Sequence, residues 1–535
     1  MRPKSSFAAV AIAAALALAL AAFNSCGNAP RFQDAVNPLT YTDIPDNDVI
    51  RVGDDYYMVS TTMYFCPGAP VMHSRDLVHW RIVSYIYDVL EDDDVYNLRG
   101  GRNAYGQGQW ATSLRYENGT YYALFIANDQ RKTYVYKTED IVNGPWRRTV
   151  IDSPMHDASM LFDGGRLFVV WGNGDLRITE LEPDASAIKE GGVDTLLLSA
   201  PREGYGLRAE GAHFYHIGDW YYVLEIDWPQ GGVRTETCWR SRDLLGPYES
   251  KVVLQGAFDS RTDGVAQGAI VDTPAGDWYA IMFQDHGAVG RIPTIQPVTW
   301  EDGWPVMGDG GVPMKTVRVN LPPAGEDYVW DSDEFDSPSL ALVWQWNHKS
   351  DDTRWSLAER PGYLRLYAGE PVEGLMSARN TLTQRTVGPK CLSEGRLDVS
   401  ALKPGDRAGL CAFQSHSCAI GVEVDGDGVK HVVLRSNSPR AKDVEEYRAE
   451  MQGDELYLRL RYTFTPSAGE DPATADTARA SYSFDGENWT EVDYTLKMRY
   501  TLDLFTGYRS ALYCYSTSPD GGGAADFDYF RQEVL

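Results

Sequence analysis

The sequence predicts an all-β protein in which a five-bladed β-propeller is followed by an antiparallel β-sandwich. Three observations predict this fold: a strand–turn–strand unit recurs five times along residues 40–300, alternating apolar and polar runs follow residue 329, and helical periodicity is nearly absent. At 535 residues the chain is too long for one ordinary core, so two domains are expected. A hydrophobic content of 43% and an aromatic content of 12% exclude a disordered chain.

Residues 1–26 have the pattern of a signal peptide. Arg2 and Lys4 supply a positively charged start, and residues 7–22 form an apolar run rich in alanine and leucine. Cys26 follows a small residue, as in a bacterial lipoprotein site, although the residue three positions earlier is not the usual leucine. We expect an exported bacterial chain, lipidated at Cys26 and anchored to a membrane surface in the periplasm or at the cell surface. Cleavage without lipidation is the alternative.

Charge and cysteine content narrow the possible partners. The formal net charge of -27 argues against nucleic acid or an anionic membrane as a partner, and a neutral ligand such as a sugar fits better. Apart from Cys26, no cysteine forms a CxxC pair or lies near a histidine at metal-ligand spacing. A zinc site is therefore not expected, and buried free thiols are expected rather than disulfides.

Residues 27–320 are assigned to the propeller because one unit recurs within them. Each unit has an apolar-rich strand, a tight turn with Gly or Asp, and a bulky residue pair. Units of about 45–65 residues that each form a small antiparallel sheet are typical of propeller blades. The five instances are DNDVIRVGDDYY, WATSLRYENGTYY, DASMLFDGGRLF, EGAHFYHIGDWYY and QGAIVDTPAGDWYA.

One position of this unit carries residue types that suggest function. It lies 10 or 11 residues before the bulky pair and is occupied in turn by Asp46, Trp110, Asp157, Glu210 and Gln267. In a propeller this position is the mouth of the innermost strand, at the central axis. A single acid there is explained as a strand cap, but three carboxylates close together are costly because like charges raise each other's pKa. Their recurrence therefore predicts a functional site on the axis.

Three carboxyl groups on the axis suit hydrolysis of a glycosidic bond. One gives its proton to the leaving oxygen, and another activates a water or attacks directly. A third beside the acid would help it hold its proton at neutral pH. The residues alone do not assign these parts, although the longer reach of Glu210 favours it as the proton donor. The candidates for aromatic rings that stack on a sugar are Trp110, Phe65, Trp171 and Trp228. Packing within the blades is the alternative for the last three.

The pattern changes after residue 320. Residues 321–328 contain two consecutive prolines and suit a linker. Residues 329–535 contain the runs GYLRLYA, AIGVEVDG, HVVLR and LYLRLRYTF, in which apolar and polar residues alternate. That alternation is typical of strands with one buried face, so this segment predicts an antiparallel β-sandwich.

These motifs together resemble glycoside hydrolase family 43, whose members include β-xylosidases and α-L-arabinofuranosidases. The propeller motifs that carry the resemblance are NPLTYTDIPDNDVIRVGDDYYMVSTTM, GQWATSLRYENGTYY, MHDASMLFDGGRLFVVWG, AEGAHFYHIGDWYYVL and GRIPTIQPVTWEDGWPVMGDGG. WSLAERPGYLRL, ARNTLTQR and GDRAGL resemble the concanavalin A-like sandwich of the family's xylosidase branch. The resemblance covers nearly the whole mature chain and implies a concanavalin A-like fold for residues 329–535.

The resemblance also implies roles for particular residues. The family inverts the anomeric configuration, and Asp46 matches its general base. Glu210 matches the general acid, and Asp157 matches the third carboxylate, which orients the acid and raises its pKa. Arg291 matches an arginine that contacts substrate, with a salt bridge inside blade five as the alternative. Gln267 stands where many members have a histidine that is associated in some of them with a metal.

Two further expectations concern rigidity and metals. Asn47 stands where the family usually has proline, which implies a less rigid turn at Asp46. An amide at Gln267 is a poorer ligand for soft metals, so a metal in the propeller is doubtful. No cofactor is expected for catalysis. Asp333 and Asp528 match a place where relatives hold a structural calcium, and solvated surface acids are the alternative.

The sequence thus predicts an exo-acting inverting glycoside hydrolase. Its expected substrates are oligosaccharides from plant hemicellulose or pectin, from which it would release terminal α-L-arabinofuranose, β-D-xylose or both. Two alternatives stay open at this stage. One is a surface lipoprotein that binds glycans without turnover, and the other is an endo-arabinanase with an open groove.

Overall fold

The computed structural model describes residues 31–258 and 263–535 and confirms the predicted all-β fold. The predicted signal peptide and lipidation site at Cys26 lie outside these residues. Helical structure in the described ranges is limited to three single 3-10 turns, at Gly287–Val289, Leu375–Ser377 and Pro472–Thr474. None of the helices in the described part is long and apolar enough to cross a membrane.

Five four-stranded antiparallel sheets, each with its strands in chain order, form the blades. Strand β1 (Gln33–Val36) precedes them. Blade I contains β2 (Asp48–Val52), β3 (Asp55–Val59), β4 (Gly68–Ser74) and β5 (Arg81–Tyr87). Blade II contains β6 (Gln109–Glu117), β7 (Thr120–Ala127), β8 (Lys132–Thr138) and β9 (Arg147–Ile151). Blade III contains β10 (Ser159–Asp163), β11 (Arg166–Asn173), β12 (Asp175–Leu181) and β13 (Asp194–Ser199). Blade IV contains β14 (Tyr205–Ile217), β15 (Trp220–Pro229), β16 (Thr235–Ser241) and β17 (Glu249–Gln255). Blade V contains β18 (Val265–Asp272), β19 (Trp278–Asp285), β20 (Arg291–Glu301) and β21 (Trp304–Met307).

The first strands of the blades form the inner ring. Strand β2 contacts β6, β6 contacts β10, β10 contacts β14, β14 contacts β18, and β18 returns to β2. The ring is closed near its ends by β1, which pairs antiparallel with β22 (Thr316–Val319) after the last blade. The side chain of Asn37 reinforces this closure, because its Nδ2 donates to the carbonyls of Ile295 and Met314, each at 2.8 Å. Residues before blade I are thus joined to blade V.

Two seven-stranded antiparallel sheets form the sandwich. The first has the order β23-β26-β35-β28-β29-β30-β31 and the second β24-β25-β36-β27-β32-β33-β34. The strands are β23 (Gln345–Trp346), β24 (Trp355–Ser356), β25 (Leu364–Tyr367), β26 (Leu382–Arg385), β27 (Lys390–Asp398), β28 (Asp406–Phe413), β29 (Ser417–Val424), β30 (Lys430–Asn437), β31 (Val444–Glu450), β32 (Glu455–Thr463), β33 (Thr477–Ser483), β34 (Thr490–Lys497), β35 (Arg509–Ser516) and β36 (Ala524–Val534). The predicted alternation is clear in β32, where every second side chain is buried.

The two domains share a hydrophobic core. One cluster of buried side chains joins Tyr64 and Phe65 of the propeller to Phe413 and Tyr513 of the sandwich. The guanidinium carbon of Arg509 lies 3.8 Å from the centre of the Phe65 ring. Because the sandwich packs tightly on the propeller, its loops can reach the propeller mouth.

Candidate active site

The backbone is distorted at the mouths of the inner strands. Asp46, Asp157 and Gln267 adopt left-handed φ angles of 54°, 45° and 59°. Such a conformation costs a non-glycine residue about 1–3 kcal/mol and is concentrated at functional sites. Strand pairing is also irregular at the corresponding point of blades II, IV and V. The side chains of all three residues line one small cavity on the axis.

Asp46 is held by two donors. Its Oδ1 accepts hydrogen bonds from Nη1 of Arg291 at 2.7 Å and from Nε2 of Gln267 at 3.2 Å. The side chains of Asp46 and Arg291 are only 7% and 6% exposed, so their ion pair lies in a poorly solvated place. Burial lowers the pKa of Arg291, but Asp46 and other nearby acids outweigh this and raise it, so the guanidinium stays charged. No group of the described residues donates a hydrogen bond to Oδ2 of Asp46.

The turn at Asp46 is stiffened by a side chain rather than by proline. Asn47 is completely buried, and its Nδ2 donates to the carbonyl of Ile44 at 2.9 Å. The backbone carbonyl oxygen of Asn47 lies 3.1 Å from Nε2 of His213 in blade IV. These hydrogen bonds close the turn locally and tie it to a second blade, so Asn47 supplies restraints of its own where proline was expected.

A second group of side chains surrounds Glu210, and we call Glu210, Asp157, His156 and Asn173 the acid-side cluster. Nε2 of His156 lies 3.4 Å from Oε2 of Glu210, and Nδ2 of Asn173 donates to the same oxygen. Nδ1 of His156 lies 3.8 Å from Oδ1 of Asp157. Ligating atoms of the histidine and the two acids lie within 4.8 Å of one another, in a group that does not include Asp46. The site thus has two separately held sides.

Two members of the acid-side cluster hold protons near neutral pH. Burial raises the pKa of Asp157 to about 7, with Glu210 and Asp46 adding to the rise and His156 opposing it. Burial lowers the pKa of His156, but the carboxylates of Asp157, Glu210 and Asp46 outweigh this and raise it to about 9. His156 therefore brings a positive charge to a place where three acids meet.

Two buried acids of blade IV support the distorted backbone from behind. Oδ1 of Asp227 accepts the backbone N–H of Ala209, the residue before Glu210, at 2.9 Å. Oε2 of Glu236 accepts the backbone N–H of Gln267 at 2.8 Å. Burial raises the pKa of Glu236 well above its ordinary value and so favours the neutral form of this carboxyl group. Acids of blade IV thus hold the backbone beside Glu210 on one side of the site and at Gln267 on the other.

Gly211 lets the two sides approach each other. Its φ is 65°, and a Cβ atom there would lie 2.5 Å from Cδ of Gln267. Because only glycine tolerates both the left-handed backbone and this contact, Gln267 can pack directly against the strand that carries Glu210.

The sandwich contributes one wall of the site. Phe505 lies in the loop before β35, and its ring centroid is 5.4 Å from that of Trp110. The guanidinium carbon of Arg291 lies 4.7 Å from the centre of the Phe505 ring. Asp43 fixes this loop, because its Oδ2 accepts the backbone N–H of Gly507 at 2.8 Å while its Oδ1 accepts that of Arg291. One side of the pocket is therefore formed by the other domain.

The aromatic residues singled out in the sequence are placed differently from one another. Trp110 lies between Phe505 and His156, whose ring centroid is 5.7 Å away. Phe65 is completely buried between the domains, so no atom of its ring is accessible to a sugar in this structure. Trp171 packs on a cluster between blades II and III, and its Nε1 donates to Thr179 at 2.9 Å. Trp228 lies on β15, where its Nε1 donates to the carbonyl of Gly232 at 3.2 Å and the guanidinium carbon of Arg234 lies 5.0 Å from its ring centre. Among these four described residues, only Trp110 contacts His156 and Phe505 of the site.

Three residues of the site were missed from the sequence. His156 directly precedes Asp157, and Asn173 follows Trp171 by two positions on the same face of β11. Each of the two therefore lies beside a residue that the sequence had already marked as a candidate. Phe505 had no such signal, because it belongs to the other domain and reaches the site only when the domains dock.

The residues expected to hold a structural calcium do not fit one. Both carboxylate oxygens of Asp333 accept N–H donors, one from the backbone and one from an indole. Asp528 is paired with Nη1 of Arg396 at 2.6 Å, and a cation beside a ligand works against calcium, which needs six to eight oxygens. Within the described residues, the acid-side cluster alone brings three metal-ligating side chains together.

Comparison with known families gives a match over both domains. The model for "Glycosyl hydrolases family 43" matches residues 35–305. The model for "Beta xylosidase C-terminal Concanavalin A-like domain" matches residues 332–533, which confirms the predicted type of sandwich.

Similar proteins match over most of the chain. A beta-xylosidase of Formosa agariphila is 29% identical over 93% of this chain and 90% of its own. A non-reducing end alpha-L-arabinofuranosidase of Bacteroides ovatus is 32% identical over 93% of this chain and 94% of its own. The solved structure of a bifunctional GH43-CE protein of Bacteroides eggerthii is 40% identical, with a TM-score of 0.87 over 94% of this chain. This chain spans 64% of that longer one.

Proposed function

Since the chain belongs to glycosyl hydrolase family 43 and is therefore a glycoside hydrolase, we propose that it inverts the anomeric centre and releases pentoses from the ends of oligosaccharides. The observation that carries this proposal is the separation of the carboxyl groups into two differently held sides. Asp46 is bound to Arg291 and Gln267, whereas Glu210 lies in the acid-side cluster. Inverting hydrolysis needs two carboxyl groups with room for a water between them.

On the base side, Asp46 takes a proton from the attacking water. Arg291 occupies one carboxylate oxygen and compensates its charge, which leaves Oδ2 to accept the proton. Gln267 fixes the rotation of the same carboxylate. A group held from two directions can orient water toward the anomeric carbon with little loss of entropy at the moment of reaction.

On the acid side, Glu210 gives its proton to the leaving oxygen. Asn173 holds one oxygen of this carboxyl group, so the other is available to the substrate. In this proposal Asp157 is the third carboxyl group. Because two acids this close do not ionise easily together, they keep one proton between them near neutral pH, and Glu210 passes it to the leaving oxygen. His156 offsets the negative charge that remains on the cluster after proton transfer.

Action at chain ends is supported by the wall that the sandwich provides. Phe505 stands against Trp110 and Arg291, so a groove running past these residues would meet its ring. A closed side suits a pocket that accepts one terminal sugar, and the faces of Trp110 and Phe505 suit the C–H surfaces of a pentose. An endo-acting enzyme would need this side to be open.

The proposed substrate class is oligosaccharides from plant hemicellulose or pectin that end in β-D-xylose or α-L-arabinofuranose. The support is that similar chains include a beta-xylosidase and a non-reducing end alpha-L-arabinofuranosidase. The test is hydrolysis of the two corresponding 4-nitrophenyl pentosides, followed by product analysis on arabinoxylan and arabinan oligosaccharides. Release of a single pentose per step supports the proposal, whereas inactivity on all of them, or internal cleavage of linear arabinan, contradicts it.

We also propose that the enzyme is exported and lipidated at Cys26, on the strength of the sequence pattern alone. Incorporation of labelled palmitate by the expressing cells tests this directly. Cys26→Ala is expected to abolish the label, and a label that persists in this variant would contradict the assignment.

A further inference from the structure

His213 is a buried histidine of the inner ring to which the proposed mechanism gives no part. It lies on β14 three residues after Glu210 and is only 6% exposed. In a regular strand the side chains of Glu210 and His213 would point to opposite faces, because successive residues alternate. Here Glu210 pairs with Ile226. His213 pairs with Leu224, so three steps along β14 match two along β15 and one residue of β14 is bulged out. The bulge therefore brings His213 to the face that carries Glu210.

The imidazole ring of His213 connects the backbone beside Glu210 to the backbone beside Asp46. Its Nδ1 lies 3.1 Å from the carbonyl oxygen of Gly211, the residue after Glu210. Its Nε2 lies 3.1 Å from the carbonyl oxygen of Asn47, the residue after Asp46. Both distances are within hydrogen-bonding range. One side chain thus contacts the chain directly after each of the two carboxyl groups that the proposed function needs.

The proton of the neutral ring belongs on Nε2. Burial lowers the pKa of His213, Asp48 opposes this and Arg115 adds to it, so the neutral form with a single N–H is favoured. Among the described residues, Nε2 faces two acceptors, the carbonyl of Asn47 and Oδ1 of Asp48 at 3.8 Å. Nδ1 faces one, the carbonyl of Gly211. The N–H of the ring is therefore the one that crosses from blade IV to the turn at the start of blade I.

Asp48, which favours this position of the ring proton, is itself held by blade II. Its Oδ2 accepts the backbone N–H of Leu114 at 2.8 Å and Nη1 of Arg115 at 2.7 Å. Its Oδ1 is buried and has no hydrogen-bond partner among the described residues. Because the side chain of Asp48 is almost completely buried, solvent screens its charge little at the ring of His213.

We propose that His213 is a positioning residue that fixes the general base and the general acid relative to each other. It acts through the backbone of residues 47 and 211. The inference rests on the proposed function, because an inverting step uses a base and an acid in one transition state. A misplacement of about 1 Å between such groups can lower a rate about a hundredfold. The loss should appear in kcat rather than in KM, because substrate binding does not require this alignment.

The test uses three variants of the full chain that differ in the donor they keep. The amide nitrogen of His213→Gln reaches about as far as Nε2, and that of His213→Asn reaches only about as far as Nδ1. His213→Leu has no donor. We expect kcat to fall about a hundredfold in His213→Leu and His213→Asn, with KM changed by less than about twofold. His213→Gln should recover kcat to within about fivefold of the parent, because the hydrogen bond to Asn47 is kept.

Two substrates separate this role from damage to the general acid alone. They are the 4-nitrophenyl pentoside that the parent cleaves and the disaccharide of the same pentose. Loss of proton donation slows the disaccharide most, because its leaving group needs the proton, whereas a displaced base slows both. His213→Leu should therefore lower kcat equally on both substrates. A loss confined to the disaccharide, or a His213→Gln variant no faster than His213→Leu, would overturn the proposal.

The urea midpoint of each variant separates positioning from folding. His348→Leu is the matched control, because His348 is also buried and its Nε2 accepts the backbone N–H of Ala104 at 2.9 Å, outside the site. The control should lower the midpoint and leave the kcat of the folded protein unchanged. If His213→Leu does not fold, the comparison of His213→Gln with His213→Asn decides the question.

Failure of this inference differs from failure of the proposed function. A parent that is active and inverting, with a His213→Leu variant that keeps its kcat, would overturn the inference alone. A parent that cleaves neither substrate, or that releases the pentose with retention, would overturn the proposed function and the inference with it.

Discussion

Replacing His156 by asparagine should change how the activity depends on pH. The substitution removes a cation from between Asp157 and Glu210 and leaves a neutral side chain that can still form hydrogen bonds. Without the positive charge, the carboxyl groups of the acid-side cluster release their protons less easily. The alkaline limb of the kcat/KM profile should therefore move to higher pH, and activity at the optimum should fall.

The size of the effect follows from the environment of His156. Its pKa is raised from 6.5 to about 9, and each pKa unit is worth about 1.36 kcal/mol, so the imidazolium interacts with the site by about 3 kcal/mol. The side chain is 27% exposed and its proton is coupled to that of Asp157, so we take about half of this value. An energy of about 1–2 kcal/mol corresponds to a movement of the alkaline limb by about one pH unit.

The assay is the pH dependence of kcat/KM on whichever 4-nitrophenyl pentoside is cleaved. His216→Asn is the matched control, because His216 forms a similar pair with Asp163 at 2.9 Å but lies outside the site. The control should leave the profile unchanged. An alkaline limb that stays in place or moves to lower pH in His156→Asn would refute the role assigned to this cation.

The same substitution gives a stability prediction with a defined sign. Because the folded pKa of His156 is raised, its contribution to stability is fully present below the unfolded value of 6.5 and is lost as the pH rises to about 9. His156→Asn should therefore destabilise the fold most at pH 6 and least at pH 9. Urea unfolding at both pH values measures this, and a loss that grows with pH would contradict it.

Three other substitutions test the rest of the site. Arg291→Met leaves the buried Asp46 without its cation, so the free energy of unfolding should fall by about 3 kcal/mol and activity should be nearly abolished. Arg291→Lys keeps a cation and should have a milder effect on both. A urea midpoint for Arg291→Met equal to that of the parent would argue against the ion pair. Phe505→Ala should raise KM about tenfold, which corresponds to a lost contact of about 1.4 kcal/mol. It should also allow some internal cleavage of linear oligosaccharides. An unchanged product pattern would remove the argument for a closed pocket. Glu236→Gln should keep its activity because an amide oxygen can still accept the backbone N–H of Gln267. Glu236→Leu should lower kcat by about tenfold because this hydrogen bond is lost. Equal kinetics of the two variants would count against a role for the hydrogen bond.

Much of the fold could be predicted because one sequence unit recurs in each blade, so equivalent positions of the five units occupy equivalent places in the propeller. The recurring position identified five side chains by register alone, and the structure finds the backbone distorted at most of them. Alternation in segments such as LYLRLRYTF likewise predicted strands with one buried face, which β32 shows. Both patterns depend on local periodicity, which sequence displays directly.

Features that depend on contacts between distant segments could not be predicted in this way. Phe65 follows a strand of blade I, yet it lies beneath Arg509 of the sandwich and is closed off. Phe505 reaches the site from that same domain. Asn47 departs from the usual proline, and only the structure shows that its side chain closes the turn instead. In each case the partner is fixed by three-dimensional packing.

The central claim is that Asp46 and Glu210 act from opposite sides of the sugar. Proton NMR during the first minutes of hydrolysis tests it most directly, because the anomer released first reports the direction of attack. A β-D-xyloside should give α-xylose first, and an α-L-arabinofuranoside should give β-arabinofuranose first, before mutarotation mixes the anomers. First appearance of the anomer with the configuration of the substrate would contradict the account.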